Sequence, residues 1–378
     1  MAFEITAGTY GYYPRLRIMK NLYIHIPFCR SKCDYCAFYS ETDCSGDKQE
    51  LYIDRIGEEL YKYDCSCIRT IYIGGGTPTL LTVEQLEKLL KILHHKIDFN
   101  RVEEFSVESN PETLNLDKIL LLQDYGVSRL SMGVQSFDEK HRCTLGRHTS
   151  QQSIENAIHI LKKKPFSHFN IDLIYGIPFQ TAEDFKSDLY RLQEAGCDHF
   201  SAYNLTIEEQ TALAGEGIEI DEDIACMMYE TAGNFAPFRR YEISNYALND
   251  NAQCLHNKNV WKGETLLGIG AAAASFDGID RWTQQYDTDA FLRGEEPEYD
   301  RIDTELRCME IFAVNLRTVN GWHRDEWEKN FSLSWEFMLQ KVKNIAKLYN
   351  DCFVIGENFV RLDDKGLQFW NEIASELL

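Results

Sequence analysis

The sequence predicts an α/β fold in which six strand–helix units, (β/α)6, curve a parallel sheet into a barrel or three-quarter barrel, followed by a small helical domain. From residue 22 to about residue 247, short apolar runs alternate with longer helical patterns, which is typical of a parallel sheet covered by helices. Every unusual peptide of this region also follows the end of a strand. Because the loops after the strands form the functional face of such barrels, we expect a ligand site at that rim.

Six apolar runs predict the strands, and apolar residues at three- and four-residue spacing predict the helices between them. The expected strands are Leu22–Phe28, Thr70–Gly74, Glu104–Glu108, Arg129–Val134, His168–Ile174 and His199–Tyr203. The expected helices include Val83–His94, Asp117–Tyr125, Ser153–Lys162 and Ala182–Glu194.

The rest of the chain predicts a smaller C-terminal domain behind a linker. Tyr241–Ala247 predicts one further strand, and the charged stretch Arg293–Thr304 predicts the linker. A helix over Glu305–Leu316, further helices, a hairpin near Cys352–Leu362 and a last helix from Gly366 are typical of a winged-helix-like unit. The expected domains are an N-terminal extension (1–21), the barrel (22–250), a histidine-bearing segment with the linker (251–304) and the C-terminal domain (305–378). We expect residues 1–18 to pack weakly.

Composition restricts the compartment and the partners. The chain has 378 residues, of which 44% are hydrophobic, and no apolar stretch reaches the roughly 18 residues of a membrane span. Twelve cysteines without a secretory signal favour a reducing cytoplasm over a disulfide scaffold. The net charge of −21 disfavours nucleic acid as a partner, because a phosphate backbone attracts basic surfaces.

Cys29, Cys33 and Cys36 lie on one short loop in C-x3-C-x2-C spacing, directly after the first predicted strand. Three thiolates hold three corners of a [4Fe-4S] cluster and leave the fourth iron open for a ligand, whereas a cluster held by four cysteines is usually an electron carrier. This spacing is typical of radical S-adenosylmethionine (SAM) proteins. The alternative is a structural zinc site, which requires a fourth ligand such as Cys44.

A glycine-rich turn follows the second strand at Gly74–Pro78. SAM chelates the open iron through its amino and carboxylate groups, so the protein must supply polar groups to its methionyl end and ribose. Glycines let a backbone approach a ligand closely and expose its amide groups. We therefore expect Gly75, Gly76 and Thr77 to contact SAM.

Glu108, Gln135 and Asp172 are polar residues within or at the end of otherwise apolar strands. Together they suit a ring that holds ribose hydroxyls and a carboxylate, with Arg147 taking the carboxylate through its forked guanidinium. The alternative for the two acids is a salt bridge inside the barrel, for which Arg129 and Arg147 are available.

Two tyrosines and one histidine complete the candidate residues. Tyr23 and Tyr35 flank the cysteine loop and pack either on the cluster or adenine, or within the core. His256, two residues after Cys254, is a candidate axial ligand of haem iron. The alternative is a histidine that caps or bridges backbone groups.

With these peptides the chain resembles the oxygen-independent coproporphyrinogen III oxidase-like branch of radical SAM proteins. The resemblance extends from residue 22 to about residue 375 and rests on Tyr23–Cys29, Gly74–Pro78, Gly133–Phe137, Leu145–Arg147 and Ile171–Pro178. It implies a partial TIM-type barrel with a C-terminal domain. It also implies that one SAM touches Tyr23, Gly75 and Glu108, and that SAM at this or a second position is held by Gly76, Thr77, Gln135, Arg147 and Asp172.

Two departures make the chain similar to the HemW-type haem chaperones rather than to the true oxidases of this branch. The oxidases continue the cluster motif to a fourth cysteine, whereas Ala37 and Phe38 follow Cys36 here. They also carry a longer N-terminal region than the residues that precede Tyr23. The chaperones carry a His-Asn-x-x-Tyr-Trp motif, which is present here at His256–Trp261 with Val in place of Tyr.

The sequence therefore predicts a radical SAM protein that binds a [4Fe-4S] cluster, SAM and haem and transfers haem to acceptor proteins. We expect no coproporphyrinogen oxidase activity, and no residue is singled out as catalytic. One alternative is an oxygen-independent coproporphyrinogen III oxidase, which decarboxylates propionates to vinyls with SAM. Another is a radical SAM enzyme acting on RNA or a small metabolite, which the acidity disfavours. A homodimer and membrane contact during delivery stay open.

Overall fold

The structure is a computed structural model that describes residues 18–42, 45–163, 165–217 and 220–378. The expected weak packing of the N-terminus concerns residues that lie almost entirely outside these ranges. Cys44, the candidate fourth zinc ligand, also lies outside them. Within the described ranges, no helix combines the length and the apolar character needed to cross a membrane.

The first part of the chain alternates strands and helices. Its elements are β1 (Asn21–Ile26), α1 (Gly46–Leu60), β2 (Thr70–Gly75), α2 (Val83–Lys96), β3 (Glu104–Ser109), α3 (Leu116–Asp124), β4 (Arg129–Gln135), α4 (Glu139–Thr144), α5 (Gln151–Leu161), β5 (His168–Tyr175), α6 (Ala182–Ala195), β6 (His199–Asn204) and α7 (Glu222–Gly233). The six predicted strands and four predicted helices are confirmed to within two residues at each end.

The second part has shorter strands and two groups of helices. Its elements are β7 (Arg239–Arg240), β8 (Asn245–Ala247), α8 (Leu255–Trp261), β9 (Leu266–Ile269), β10 (Ala274–Phe276), β11 (Arg281–Thr283), α9 (Thr288–Arg293), β12 (Glu298–Asp300), α10 (Thr304–Asn315), β13 (Trp322–His323), α11 (Arg324–Asn330), α12 (Trp335–Ile345), β14 (Phe353–Ile355), β15 (Phe359–Leu362), α13 (Asp364–Gln368) and α14 (Trp370–Leu377).

One sheet of twelve strands forms the barrel wall, in the order β12-β11-β10-β9-β1-β2-β3-β4-β5-β6-β8-β7. Strands β9, β1, β2, β3, β4, β5 and β6 are parallel neighbours, and the strands beyond them at both edges are antiparallel. The edge strands β12 and β7 do not pair with each other, so the barrel is open. The predicted partial (β/α)6 barrel is confirmed, with β9 as an additional parallel strand beside β1.

Alternation along the strands separates the core from the site. In β4, Leu130, Met132 and Val134 are fully buried in the main hydrophobic core. The intervening residues Ser131 and Gln135 line a cavity inside the barrel. Because successive side chains of a strand point to opposite faces, one face packs against the helices and the other presents polar groups to the interior. This arrangement places the functional groups.

Two short segments differ in detail from the prediction. Of the strand expected over Tyr241–Ala247, only β8 (Asn245–Ala247) is formed, and it pairs antiparallel with β7, which precedes the predicted range. The residues between β7 and β8 form a turn in which the Glu242 carboxylate accepts bonds from the Ser244 amide (2.7 Å) and the Asn245 side chain. The linker expected over Arg293–Thr304 contains β12, which pairs with β11. Charged, exposed edge strands resemble linkers in sequence, because charges on an edge prevent pairing with other chains.

A second hydrophobic core holds the C-terminal region together. Trp322, Trp327 and Trp335 are all fully buried in it, around Phe312 of α10. Along the chain the elements are a helix (α10), a strand (β13), two helices (α11 and α12) and a hairpin (β14 and β15). The three strands form a small sheet in the order β13-β15-β14. The predicted winged-helix-like pattern, with its hairpin and last helices, is confirmed.

Arg317 connects the second core to the barrel. Its Nε donates to the buried Glu242 carboxylate at 2.7 Å, and its guanidinium lies over the rings of Trp261 and Trp370. The backbone amide of Ile243 donates to the Arg317 carbonyl at 3.2 Å. A buried carboxylate depends on its cation, because a lone buried charge is strongly destabilising.

Replacing Arg317 by Met should lower the free energy of unfolding by about 2–4 kcal/mol, because Glu242 then keeps its burial without a cation. Urea unfolding followed by tryptophan fluorescence measures the change. Arg317→Lys retains the charge and should recover part of the loss. An Arg317→Met variant as stable as the wild type would contradict the role given to this ion pair.

Candidate functional site

A cavity of about 770 Å³ opens at the carboxyl ends of the barrel strands. Its wall includes every site residue expected from the sequence except Tyr23 and His256. The predicted residues that line it are Cys29, Cys33, Tyr35, Cys36, Gly75, Gly76, Thr77, Glu108, Gln135, Arg147 and Asp172. The structure thus brings together residues from five strands and the loops that follow them.

The cysteine loop is closed at its neck by backbone hydrogen bonds. The Cys29 amide donates to the Glu41 carbonyl at 2.9 Å, and the Glu41 amide donates to the Pro27 carbonyl at 2.7 Å. At the tip, the Asp34 amide donates to the Leu145 carbonyl at 3.0 Å and the Leu213 amide donates to the Asp34 carbonyl at 3.0 Å. These bonds fix a thirteen-residue loop across the mouth of the cavity.

Each thiol of the loop lies beside a hydrogen-bond donor. The Cys29 sulfur is 3.8 Å from the Thr77 hydroxyl, and Arg147 Nη1 donates to the Cys33 sulfur at 3.6 Å. Burial raises the pKa of Cys36, and the Phe38 amide, which donates to its sulfur, opposes that shift. Because the thiolate is the form that ligates metal, such donors suit the loop to cluster binding. Among the described residues, no three His, Cys, Asp or Glu side chains gather closely enough around one point to hold a single ion.

The glycine-rich turn lies directly against the cysteine loop. A Cβ on Gly76 would lie 2.8 Å from the Phe28 carbonyl oxygen and 2.9 Å from the Cys29 sulfur. The Gly76 and Thr77 amides donate to the carbonyls of Ile26 and Phe28 at 2.8 Å. Only glycine allows this approach, so residue 76 determines how closely the turn and the first thiol pack.

Glu108 lies at the centre of the buried polar groups. Its carboxylate accepts bonds from the Tyr72 hydroxyl at 2.8 Å and from the Gly75 amide at 3.0 Å. Burial raises the pKa of Glu108 to about 7, and these two bonds oppose the shift while Asp172 adds to it. Glu108 forms a salt bridge with neither Arg129 nor Arg147, the two arginines considered in the salt-bridge alternative. Arg129 pairs with Glu104 at 2.9 Å instead. The carboxyl group therefore remains available to the cavity.

Asp172 is the end of a hydrogen-bond chain that crosses the barrel. The Asn170 amide nitrogen donates to Asp172 at 2.7 Å, and its oxygen is 2.6 Å from His199 Nδ1. His199 Nε2 lies 2.9 Å from the Tyr241 hydroxyl, which accepts the Cys254 amide at 3.2 Å. Burial raises the pKa of Asp172 and lowers that of His199 well below its usual value.

Sequence reasoning missed the partners of Asp172. Ser131 donates to Asp172 at 2.9 Å, and Ser131, Asn170, His199 and Ser201 all line the cavity. Ser131 on β4 lies four residues before Gln135, Asn170 on β5 lies two residues before Asp172, and His199 and Ser201 on β6 lie two residues apart. Reading every second residue of each strand would have found them, because one face of the strand points inward.

Arg147 and Gln135 lie beside a distortion in β4. The register with β5 shifts between Gly133 and Gln135, and Gln135 has a φ of 72°. Arg147 Nη2 donates to the Gly133 carbonyl at 2.6 Å, whereas its buried Nε has no partner among the described residues. A buried guanidinium with an unused donor suits a carboxylate ligand.

The two tyrosines have different surroundings. Tyr35 lines the cavity, and burial raises its pKa while the nearby Arg147 opposes that shift. Tyr23 lies behind the cavity wall, where its hydroxyl is 2.9 Å from His25 Nδ1. The other ring nitrogen of His25 is 2.9 Å from the Tyr39 carbonyl. Tyr23 therefore supports the cysteine loop through His25 in this structure.

His256 lies at the opposite end of the barrel from the cysteine loop. Its Nδ1 is 2.8 Å from the hydroxyl of Thr70, the first residue of β2, and its amide donates to Glu104, the first residue of β3, at 2.9 Å. Burial lowers the pKa of His256 to about 4. These contacts match the structural alternative for this histidine, and they place it apart from the other candidate residues.

Comparison with known proteins identifies the family. The profile of the Radical SAM superfamily matches residues 23–200. The protein named Heme chaperone HemW of Lactococcus lactis is 31% identical over 375 residues, which cover 95% of this chain and 97% of that protein. The protein of the same name from Buchnera aphidicola (subspecies Acyrthosiphon pisum) is 34% identical over 375 residues, covering 95% of this chain and 98% of its own length. This chain belongs to the HemW family of radical SAM proteins.

A solved structure confirms the fold. The coproporphyrinogen III oxidase HemN of Escherichia coli, described as a radical SAM enzyme, matches with a TM-score of 0.82 at 22% identity. The match covers 96% of this chain and 91% of that one. The barrel and the C-terminal region therefore share the architecture of HemN.

Membership of the radical SAM superfamily implies SAM and a [4Fe-4S] cluster as cofactors. The residues present fit both groups. Three thiols lie on one closed loop beside Thr77 and Arg147, and a carboxylate ligand would satisfy the unpaired Arg147 Nε. Because Gly76 packs closely against the Cys29 sulfur, the glycine-rich turn would lie beside a ligand bound at the cluster.

Stability should fall with acidification because His256 is buried in its neutral form. The pKa of His256 is about 4 in the folded protein, below its value in the unfolded chain. Its contribution to the free energy of unfolding is therefore complete above about pH 6.5 and is lost as the pH falls towards 4. Between about pH 7 and about pH 5 this loss should be about 2 kcal/mol. Urea unfolding of the wild type and of His256→Asn at both pH values measures it.

The variant should be less stable than the wild type at neutral pH but should show a shallower dependence on pH. His159→Asn, at an exposed histidine of α5, is the control and should keep the wild-type slope. Equal slopes in all three proteins would show that His256 titrates normally.

Proposed function

We propose that this protein binds a [4Fe-4S] cluster, SAM and haem and passes haem to acceptor proteins. The observation that carries the proposal is the end-to-end similarity to proteins named Heme chaperone HemW, at 31% and 34% identity over 95% of the chain. The absence of a fourth motif cysteine, with Phe38 in its place, supports the same choice.

In this proposal Cys29, Cys33 and Cys36 hold three irons of the cluster and leave one for SAM. When bound, the cluster supplies the single electron on which radical SAM chemistry depends. The chain positions the sulfurs by closing the loop between Cys29 and Glu41. Arg147 Nη1 donates to the Cys33 sulfur at 3.6 Å and helps to hold that sulfur in position.

The polar ring holds SAM across the mouth of the cavity. Arg147 takes the SAM carboxylate with its unused Nε, and Gly75, Gly76 and Thr77 face the methionyl end. Glu108 and Asp172 accept bonds from amino and hydroxyl groups of the ligand. Because burial raises the pKa of both acids, binding of a cationic or hydrogen-bond-donating ligand would favour their ionised forms.

Haem-accepting proteins are the expected partners. Neither a homodimer nor membrane contact is part of the proposed transfer. His256 remains a prediction as an axial haem ligand, and its buried contacts with Thr70 and Glu104 support a structural role instead. The proposal therefore does not depend on ligation by His256.

Haem uptake without porphyrin chemistry is the central test. Anaerobically reconstituted protein should bind about one haem per chain, seen as a new Soret band, because the family resemblance is to chaperones. With coproporphyrinogen III, SAM and a reductant it should form neither protoporphyrinogen nor carbon dioxide. Sustained turnover would instead assign the chain to the oxidases, and failure to bind haem would remove the chaperone assignment.

Gly146→Ala should reduce cluster content, because residue 146 faces the tip of the cysteine loop. A Cβ there would lie 2.3 Å from the Asp34 carboxyl carbon, next to Cys33, and the φ of 63° disfavours a side chain. We expect iron and sulfide per chain to fall by about half or more, because the Asp34 side chain must move and the left-handed backbone at residue 146 disfavours alanine, which together weaken the contact that holds the loop tip. Gly126→Ala is the matched control: its φ is 77° and no atom lies within 4 Å of its Cβ position. Equal iron in both variants would contradict this account.

A further inference from the structure

Two aromatic side chains near the cysteine loop are exposed without an evident structural role. Phe38 is 72% exposed and lines the cavity mouth, and Tyr286 is 70% exposed on the segment before α9. Tyr39, the neighbour of Phe38 in sequence, contacts the Tyr286 ring edge-on at 6.3 Å between centroids. We call Phe38, Tyr39 and Tyr286 the aromatic ledge.

The ledge is held in place through Tyr39. Its hydroxyl donates to Glu41 at 2.6 Å and accepts the Thr288 amide at 2.7 Å. The end of the cysteine loop is therefore attached to the start of α9. Exposed aromatic rings supply a large apolar contact area to a ligand, and Tyr39 is the member of the ledge that these bonds fix.

Two cations lie on the same loop and line the same cavity. Arg30 and Lys32 are exposed, although the chain as a whole carries a net charge of −21. Arg30 makes one long contact with Glu112 at 3.4 Å, and Lys32 has no ion-pair partner within the described part of the chain. The exposed Phe38 ring lines the same cavity as these two cations, and this combination complements a flat apolar ligand with carboxylates at its edge.

We propose that the aromatic ledge binds one face of haem, with its two propionates directed to Arg30 and Lys32. This inference rests on the proposed haem-binding function and adds the location of the site. A tetrapyrrole dicarboxylate has both features that the surface complements: a broad apolar plane and two anionic groups. The ledge lies at the cysteine-loop end of the barrel, so this site is separate from His256.

The backbone of Phe38 also contacts Cys36 within the cysteine loop. Its amide donates to the Cys36 sulfur, and this donor remains when the side chain is removed. Phe38→Ala therefore changes the ledge and retains the backbone bond to Cys36. Iron and sulfide per chain should stay at the wild-type value in this variant, which separates haem binding from cluster binding.

The experiment titrates haemin into reconstituted full-length protein and follows the Soret band. Phe38→Ala and Tyr286→Ala should each weaken haem binding by about tenfold, because each removes an aromatic contact with the ring. Phe179→Ala is the matched control, because Phe179 is 84% exposed and is not among the described residues that line the cavity with Phe38, Arg30 and Lys32. It should bind haem as the wild type does.

The propionates are tested with a ligand that lacks their charge. The double variant Arg30→Ala and Lys32→Ala should bind haemin about tenfold more weakly, since two charge-assisted contacts are lost. Haem dimethyl ester should bind the wild type with a similar loss, and the double variant should weaken it no further. Lys343→Ala, at an exposed lysine of α12, should change neither affinity.

The outcomes separate the site from the function. If the wild type binds no haem, the proposed function itself fails. If the wild type binds haem and the ledge variants bind equally well, the function stands and the site is overturned. Variants that bind haem normally but fail to deliver it to an apo-haemoprotein would assign the ledge to protein docking, which also overturns the haem site.

Discussion

The closure of the cysteine loop between Cys29 and Glu41 is the constraint on which the rest of the site depends. Three thiols can face one cluster only if the loop that carries them has a fixed shape, and two backbone bonds at the neck provide it. The turn at Gly76 packs against this neck, and Arg147 reaches Cys33 from the far side of the mouth. The inward-facing residues of β3, β4 and β5 then complete the ring below. A change at the neck would alter all these distances together.

The sequence predicted the parallel strands well because a strand buried on both faces is a continuous apolar run. The shorter strands were harder. β9 is only four residues long and pairs with β1 only in the folded barrel, and β12 carries the charges of a linker. For the site, the motifs identified the residues that line the cavity, but Ser131, Asn170 and His199 belong to no motif. The position of His256 at the opposite end of the barrel follows from the packing of α8 beneath β2, which its local sequence does not encode.

The fold and the function are determined by different parts of this molecule. The barrel and the C-terminal core match HemN over nearly the whole chain at 22% identity, so the architecture alone does not distinguish an oxidase from a chaperone. Phe38 stands where the oxidases continue their cysteine motif, and it contributes an exposed ring rather than a thiol. The shared barrel can thus retain its cofactor site while the groups facing outward change.

The hydrogen-bond chain from Cys254 to Asp172 has a direction. The Asn170 nitrogen donates to Asp172, so its oxygen accepts from His199 Nδ1. The Nε2 of the neutral ring then accepts from the Tyr241 hydroxyl, which itself accepts from the Cys254 amide. Inverting the Asn170 amide would oppose its oxygen to the Asp172 carboxylate and leave the Tyr241 proton without its acceptor. The acid at the mouth therefore determines the tautomer of His199 and the direction of the Tyr241 hydroxyl at the base. The direction of these hydrogen bonds, rather than a movement of the chain, links the two ends of this barrel.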